Sequence, residues 1–233
     1  MSEANRHKEM LLQVAEALGS ELLSQMAFVG GCTTGLLLTD EFSKEQVRHT
    51  DDVDLIVHLL GYVEYSNLQK QLRRLGFKDS VDNDDPICAM RLGELRVDFM
   101  PDDEKILGFS NRWYADAFSS ANVYQLTNET SINVVQPVYF VATKLEAWLG
   151  RGNNDPLGSH DLEDLLSLFD GRPELLAEIE QAAPELRQYI AIKIGELLES
   201  NDFEYAVQSC ALGNSEREAL IFKRLEQAVL GGA

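Results

Sequence analysis

Residues 48–57 read RHTDDVDLIV, where a polar turn leads directly into the strongest strand pattern in the chain. Side chains alternate between the two faces of a strand. The three apolar residues at alternate positions therefore share a face that suits a buried core, whereas Asp52 and Asp54 share the opposite face. We expect Asp51, at the turn, to be solvated.

The pair Asp52 and Asp54 favours a cation. Two carboxylates side by side on one strand face repel each other and raise each other's pKa. With Mg²⁺ the same pair becomes a set of hard oxygen ligands that leaves room for waters and for substrate phosphates. The alternative interpretation is an acidic turn that enters a strand, with its aspartates in solvent.

A second strand pattern, RVDFM at residues 96–100, carries another carboxylate between apolar residues. Asp98 alternates with Val97 and Phe99, which is a poor position for a group that needs only solvent. If this strand lies beside 52–57, a site of three carboxylates results, of the kind used in two-metal chemistry. The alternative is a surface ion pair of Asp98 with Arg96 or Arg91, which contributes little stability.

A glycine turn precedes both strands, where residues 28–34 read FVGGCTT. Glycines let the backbone approach a phosphate closely, and the free N–H groups at a helix start favour anions. Gly30, Gly31 and the hydroxyl of Thr33 are therefore candidate phosphate contacts. Paired glycines at a strand end also occur as simple turns, so this motif alone is weak.

The composition limits the classes of partner. The chain has 20 basic and 39 acidic residues and a net charge of −19, so an extended basic surface for nucleic acid is not expected. A local basic patch, or metal ions held by the acidic site, remain as alternatives. The three cysteines follow no ligand pattern, and no apolar run is long enough to span a bilayer. We therefore expect a reduced, soluble, cytoplasmic protein.

The pattern of elements changes once along the chain. Short strand-like runs alternate with helical ones up to about residue 135, and the rest is almost entirely helical in its periodicity. Residues 87–92 and 95–100 predict a hairpin that turns at Gly93 and Glu94. The sequence thus predicts an α/β part, residues 1–136, followed by a helical part, residues 137–233.

Three charged residues of the helical part have ordinary spacing. Lys144 follows an apolar stripe, and Asp161 and Asp164 lie one helical turn apart near a helix start. Judged by spacing alone, all three are typical of a solvated helix surface.

Taken in order, the glycine turn, the D-x-D strand and the later strand aspartate resemble the nucleotidyltransferase superfamily that includes DNA polymerase β. More narrowly, the chain resembles the AbiEii/AbiGii toxin family, the toxin side of type IV toxin–antitoxin and phage-defence pairs. The narrower resemblance spans most of the chain. Its motifs are VGG at 29–31, RxTxDVD at 48–54, VD at 97–98, LGFSNRWY at 107–114, YFVATKLEA at 139–147, SHDLEDL at 159–165 and DGR at 170–172.

The resemblance implies an α+β fold: a polymerase-β-like mixed sheet with flanking helices, followed by a C-terminal helical region. It implies metal-dependent transfer of a nucleotide from an NTP to an RNA, such as tRNA, or to a protein, with release of pyrophosphate. Mg²⁺ is the implied cofactor and Mn²⁺ the alternative, and an antitoxin protein is an implied partner.

The resemblance also assigns roles to individual residues. Asp52, Asp54 and Asp98 would be the catalytic residues and the metal ligands. The nucleotide-binding residues would be Gly30, Gly31, Thr33, Lys144 and Asp161, whereas the role of the matching Asp164 stays open. Cys32 departs from the serine or threonine that often follows the glycines, and a thiol is a weaker hydrogen-bond partner for phosphate.

Two other hypotheses remain open. One is a nucleotide-binding or partner-binding module on the same scaffold that has lost turnover, for which Cys32 and the negative charge are the motivation. The other is an unrelated α/β protein whose aspartates are all surface groups.

Overall fold

The computed structural model describes residues 2–82 and 84–232 of the 233-residue chain. These residues form one mixed sheet and twelve helices, which confirms the predicted α+β class with a mixed sheet and flanking helices. The strands are β1 (Met26–Val29), β2 (Asp52–Val57), β3 (Lys78–Asp79), β4 (Ala89–Leu92), β5 (Leu95–Pro101), β6 (Asn122–Gln125) and β7 (Ser131–Val134). The helices are α1 (Glu3–Leu23), α2 (Thr34–Leu37), α3 (Glu41–Glu45), α4 (Tyr62–Arg74), α5 (Glu104–Leu107), α6 (Tyr114–Ser119), α7 (Pro137–Arg151), α8 (His160–Gly171), α9 (Leu175–Gln181), α10 (Pro184–Leu198), α11 (Asn201–Cys210) and α12 (Ser215–Gly231).

The sheet has the strand order β3-β4-β5-β2-β1-β7-β6. The β2–β5 and β1–β7 pairs are parallel, and the other pairs are antiparallel. The predicted hairpin is confirmed as β4 and β5, with Gly93 in the left-handed conformation at its turn. This order places β2 and β5, the two strands that carry the candidate carboxylates, beside each other near the middle of the sheet.

One face of β2 and β5 is apolar and buried. Val53, Leu55, Val97 and Phe99 are all at most 1 % exposed. Helix α4 packs against this strand pair, since the hydroxyl of Tyr65 donates a hydrogen bond to the carbonyl of Phe99. Burial of one face fixes the register of the strands, because a slip by one residue would move the aspartates of the other face into the core.

The chain divides into two compact units, which we describe separately. Unit 1 consists of the described residues up to Thr33 and of His49–Gln136, and it contains the sheet. Unit 2 consists of Thr34–Arg48 and of the described residues from Pro137 onward, and it is helical.

Residues 34–48 differ from the predicted boundary, which assigned them to the first part of the chain. Within unit 2, the backbone N–H groups of Thr39 and Asp40 both donate to the carbonyl of Gly171, at 3.0 Å each. The guanidinium of Arg172 donates to the carbonyl of Leu37 at 2.6 Å. These hydrogen bonds hold α2 and α3 against the end of α8, and the sequence has no local pattern that predicts them.

The described residues include no helix that combines the length and the apolar character needed to cross a lipid bilayer.

Candidate metal centre

Three carboxylates converge on one face of the sheet in unit 1. Asp52, Asp54 and Asp98 each offer one oxygen, and these oxygens lie within 4.8 Å of one another. Asp98 is buried, at 5 % exposed, whereas Asp52 and Asp54 are half-buried. The predicted meeting of the three aspartates is therefore present in the structure.

Strand register explains the convergence. In the parallel β2–β5 pair, Asp54 lies directly opposite Asp98. Residues directly opposite each other on neighbouring strands share a sheet face, so the two carboxylates lie close together and their like charges repel. Three carboxylates in this position offer only hard oxygen ligands, the type that Mg²⁺ and Mn²⁺ prefer. The donor set thus fits the divalent cation that the resemblance implies.

The same register places a cation beside the carboxylates. Because Asp54 pairs with Asp98, Arg96 falls opposite Asp52. The Arg96 guanidinium forms an ion pair with Asp52, and its Nε lies 3.5 Å from Oδ1 of Asp98. The alternative ion pair of Asp98 with Arg96 is therefore present, but it involves a buried carboxylate and is not a surface pair. The other alternative, a pair of Asp98 with Arg91, finds no support, since Arg91 pairs with Asp85 at 2.6 Å.

Neighbouring groups respond to the negative charge of the three carboxylates. Burial lowers the pKa of Arg96, but the charges of Asp98 and Asp52 outweigh it and hold that pKa above its usual value. Burial, with the charges of Asp98 and Asp54, raises the pKa of the Cys88 thiol to about 12. The negative electrostatic potential at this site attracts cations.

The glycine turn lies against the same carboxylates. In the β1–β2 pair Val29 is opposite Asp54, so Gly30 follows directly at the strand end. Gly30 has a φ of +80°, and a Cβ built on it would lie 1.9 Å from Oδ2 of Asp54. Glycine is needed at this position for two reasons, the left-handed backbone and the close approach of the Asp54 carboxylate.

The residues after Gly30 are buried. Gly31, Cys32 and Thr33 form a short 3₁₀ turn. The Thr33 hydroxyl donates to the Gly30 carbonyl at 2.8 Å, so its predicted contact with a phosphate requires that this bond be given up. The Cys32 thiol donates to the carbonyl of His7 at 3.5 Å, which ties the turn to α1. In this fold the Cys32 thiol is buried and contributes packing to the turn.

Substitution of Gly30 by alanine tests the coupling of the turn to the carboxylates. We expect Gly30→Ala to lower the free energy of unfolding by about 2–5 kcal/mol, through left-handed strain and overpacking against Asp54. It should also abolish the stabilisation by Mg²⁺ and NTP in thermal melts that the sequence resemblance predicts for the wild type. Gly108→Ala is the matched control, because Gly108 has a φ of +82° and open space around its Cβ position. That control should lose only about 1–2 kcal/mol and keep its response to Mg²⁺ and NTP. Equal behaviour of the two variants would contradict the coupling.

Comparison with other proteins adds no assignment. No protein-family model and no curated protein matches this chain. The similarity to the AbiEii/AbiGii family therefore remains a prediction from sequence motifs, and the chemistry of the site rests on its geometry.

Unit 2 holds the remaining predicted site residues in a buried ionic cluster. The Lys144 ammonium lies 3.1 Å from Asp161 and 2.7 Å from Asp164. Arg151 donates to both oxygens of Asp161 at 2.8 Å each. Arg48 donates to both oxygens of Asp164, at 3.1 and 3.0 Å. The interpretation of Lys144, Asp161 and Asp164 as solvated surface groups is wrong, since all three are buried.

The ion pairs outweigh the cost of burial in this cluster. Burial raises the pKa of Asp161, but the hydrogen bond from Arg151 and the charge of Lys144 lower it further, to about 2. Burial likewise raises the pKa of Asp164, while Lys144 and Arg48 bring it below its usual value. For Lys144 burial lowers the pKa, and the charges of Asp164 and Asp161 reverse the effect and raise it. All three groups are therefore charged at neutral pH.

The lowered pKa of Asp161 predicts acid sensitivity. A carboxyl whose pKa is lower in the folded state stabilises the fold above its unfolded pKa, and this contribution is lost as pH falls toward the folded value. For Asp161 the loss, about 2 kcal/mol, should fall between about pH 4 and pH 2. Urea denaturation at pH 6, 4 and 3 measures it. The stability difference between the wild type and Asp161→Asn should shrink over this range, and Asp202→Asn, at an exposed position, is the control for loss of a carboxylate. A constant difference for Asp161→Asn would contradict the assignment.

Sequence reasoning missed the partners of these carboxylates. Arg48 precedes the D-x-D strand closely, yet it pairs with Asp164 in unit 2. Thr34 also donates to Asp164, at 3.1 Å. No periodicity signals such pairs. The position of Arg96 could have been predicted from the sequence. Arg96 precedes Asp98 by two residues, as Asp52 precedes Asp54, so pairing of Asp54 with Asp98 places Arg96 opposite Asp52.

Proposed function

We propose that this chain is a metal-dependent nucleotidyltransferase with a polymerase-β-like fold, which transfers a nucleotide from an NTP to an RNA or protein acceptor. The observation that carries the proposal is the convergence of Asp52, Asp54 and Asp98 within 4.8 Å, directly against the Gly30 turn. A turn with glycines that let a phosphate approach the backbone and a site of clustered carboxylates for divalent cations both suit phosphoryl transfer.

The residues of the chain have separable roles in this proposal. Asp52, Asp54 and Asp98 hold the cations, and the strands fix their positions before substrate binds. Bound Mg²⁺ would neutralise the charge of the triphosphate and favour deprotonation of the attacking hydroxyl. The turn at Gly30 and Gly31 contributes backbone N–H groups to the triphosphate, and its glycine at residue 30 keeps the Asp54 carboxylate in place.

Label transfer tests the proposal. The purified chain is incubated with Mg²⁺, each α-labelled NTP, and total RNA or a protein extract as acceptor. With one or more of the NTPs, we expect label to enter either RNA or protein and pyrophosphate to be released. In EDTA we expect no label transfer and no release of pyrophosphate. Absence of both label transfer and pyrophosphate with every NTP, in Mg²⁺ and in Mn²⁺, would overturn it.

A second candidate is a nucleotide-binding module without turnover, and the position of Arg96 favours it. A guanidinium paired with Asp52 and close to Asp98 neutralises part of the site without a metal ion. This candidate predicts a thermal shift with NTP and no pyrophosphate. Steady pyrophosphate production would exclude it. A toxin-like role, an antitoxin partner and a cytoplasmic location remain proposals that rest on the sequence resemblance alone.

A further inference from the structure

Unit 2 contains a pocket that the proposed function does not use. Its volume is about 150 Å³, and α3, α8 and α11 contribute to its lining. A single water needs about 10–15 Å³ of such space, so the pocket has room for an organic group. Its wall includes Ser43, Glu163, Asp170 and Cys210, and its apolar lining includes Phe42, Leu157 and Leu212.

Asp170 gives this pocket an unfilled acceptor. Its side chain is only 7 % exposed, and Oδ2 accepts hydrogen bonds from the Ser43 hydroxyl and from Arg217. The other oxygen, Oδ1, is buried and has no hydrogen-bond partner among the described residues. A buried acceptor without a partner costs about 1–3 kcal/mol. A donor group that enters the pocket can supply the missing bond.

The charge around the pocket selects the type of donor. Burial, followed by the charges of Asp170 and Glu163, raises the pKa of the Cys210 thiol to about 12. The thiol is therefore protonated at neutral pH and is not a nucleophile. Arg217 already pairs with Oδ2 of Asp170, whereas Oδ1 still lacks a donor in the described part of the chain and Glu163 adds a second carboxylate to the wall. These acceptors disfavour an anion and suit an ammonium or guanidinium group, which donates hydrogen bonds and accepts none.

The edge of the pocket is apolar and exposed. Phe42 is 48 %, Leu157 60 % and Leu212 64 % exposed. The Arg217 guanidinium lies 4.5 Å from the centre of the Phe42 ring and holds that ring in place. Large apolar side chains around a pocket are typical of protein interfaces, in which one anchor side chain fills the pocket.

We propose that this pocket binds a lysine or arginine side chain of a partner protein, with the cationic head at Asp170 and the partner backbone against Phe42, Leu157 and Leu212. A free amine shares the head group but leaves the exposed apolar edge uncovered, which is why we assign a protein partner. The strongly acidic chain, with a net charge of −19, is complementary to a basic partner. This proposal is independent of nucleotide transfer in unit 1.

Fluorescence polarisation with three labelled peptides tests the proposal on the full chain. The peptides carry lysine, arginine or norleucine at the centre, each flanked by leucines. We expect the lysine or the arginine peptide to bind at least about tenfold more tightly than the norleucine peptide. Asp170→Asn should remove this preference, and Glu199→Gln, the same charge change at an exposed position outside the pocket lining, should retain it.

A second variant keeps the test valid if Asp170→Asn fails to fold. Leu157→Ser changes an exposed residue and should weaken all three peptides several-fold without altering the melting temperature. Equal affinity for the three peptides, or a preference that survives Asp170→Asn, would overturn the proposal. Binding of Nα-acetyl-lysine methylamide as tightly as the lysine peptide would also overturn it, since a small amine would then account for the binding without a partner protein. Concentration-dependent dimerisation in light scattering that Leu157→Ser abolishes would instead assign the surface to a second copy of this chain and overturn a separate partner.

Discussion

Asp54→Asn is expected to be more stable than the wild type in EDTA and to gain almost nothing from Mg²⁺ and NTP. Asp54 lies directly opposite Asp98, and removal of a like charge from such a cross-strand pair stabilises the sheet by about 0.2–1 kcal/mol. The wild type should gain about 2.7 kcal/mol when ligand is at 100 times its Kd. The order of the two melting temperatures should therefore reverse when Mg²⁺ and NTP are added.

The same variant should lose most of its catalytic activity. Removal of one preorganised electrostatic group from a site of developing charge lowers kcat by about 10²–10³-fold. Asp51→Asn is the matched control, because Asp51 is exposed and lies just before β2. It should leave label transfer and both melting temperatures unchanged. If Asp54→Asn and Asp51→Asn respond equally to Mg²⁺ and NTP, the three carboxylates do not form the metal site.

Lys144→Met should strongly destabilise unit 2. Removal of one partner from a buried ion pair leaves uncompensated charge and costs about 3–5 kcal/mol. Here the ammonium contacts two buried carboxylates, Asp161 and Asp164. Arg151 and Arg48 remain with them and keep the loss within that range. Urea denaturation at neutral pH measures the change.

Lys223→Met provides the control for loss of a lysine charge. Lys223 is exposed on α12, so loss of its charge should cost less than about 0.5 kcal/mol. A loss below about 1 kcal/mol for Lys144→Met would contradict the structural role of the cluster. NTP affinity of the folded variant then tests the predicted phosphate contact separately: weaker binding supports that contact, and unchanged binding leaves Lys144 as a structural residue.

Local patterns made the sheet and its carboxylates predictable. Alternation of apolar and acidic residues in 52–57 and 96–100 placed Asp52, Asp54 and Asp98 on polar strand faces, and one pairing of those strands was sufficient to bring them together. The hairpin of β4 and β5 followed from its Gly93 turn. Such features depend on residues close together in sequence, for which periodicity is informative.

Long-range contacts were not predictable in the same way. Lys144 and Asp164 have the spacing of ordinary surface residues, and only the packing of α7, α8 and Arg48 buries them together. Residues 34–48 carry no sign that Thr39 and Asp40 bond to Gly171.

A crystal structure of the chain soaked with Mn²⁺ and a non-hydrolysable NTP tests the central claim most directly. Anomalous scattering should place manganese between the carboxylates of Asp52, Asp54 and Asp98, with the triphosphate against the backbone at Gly30 and Gly31. Manganese or triphosphate bound elsewhere, with no manganese at these three carboxylates, would contradict it.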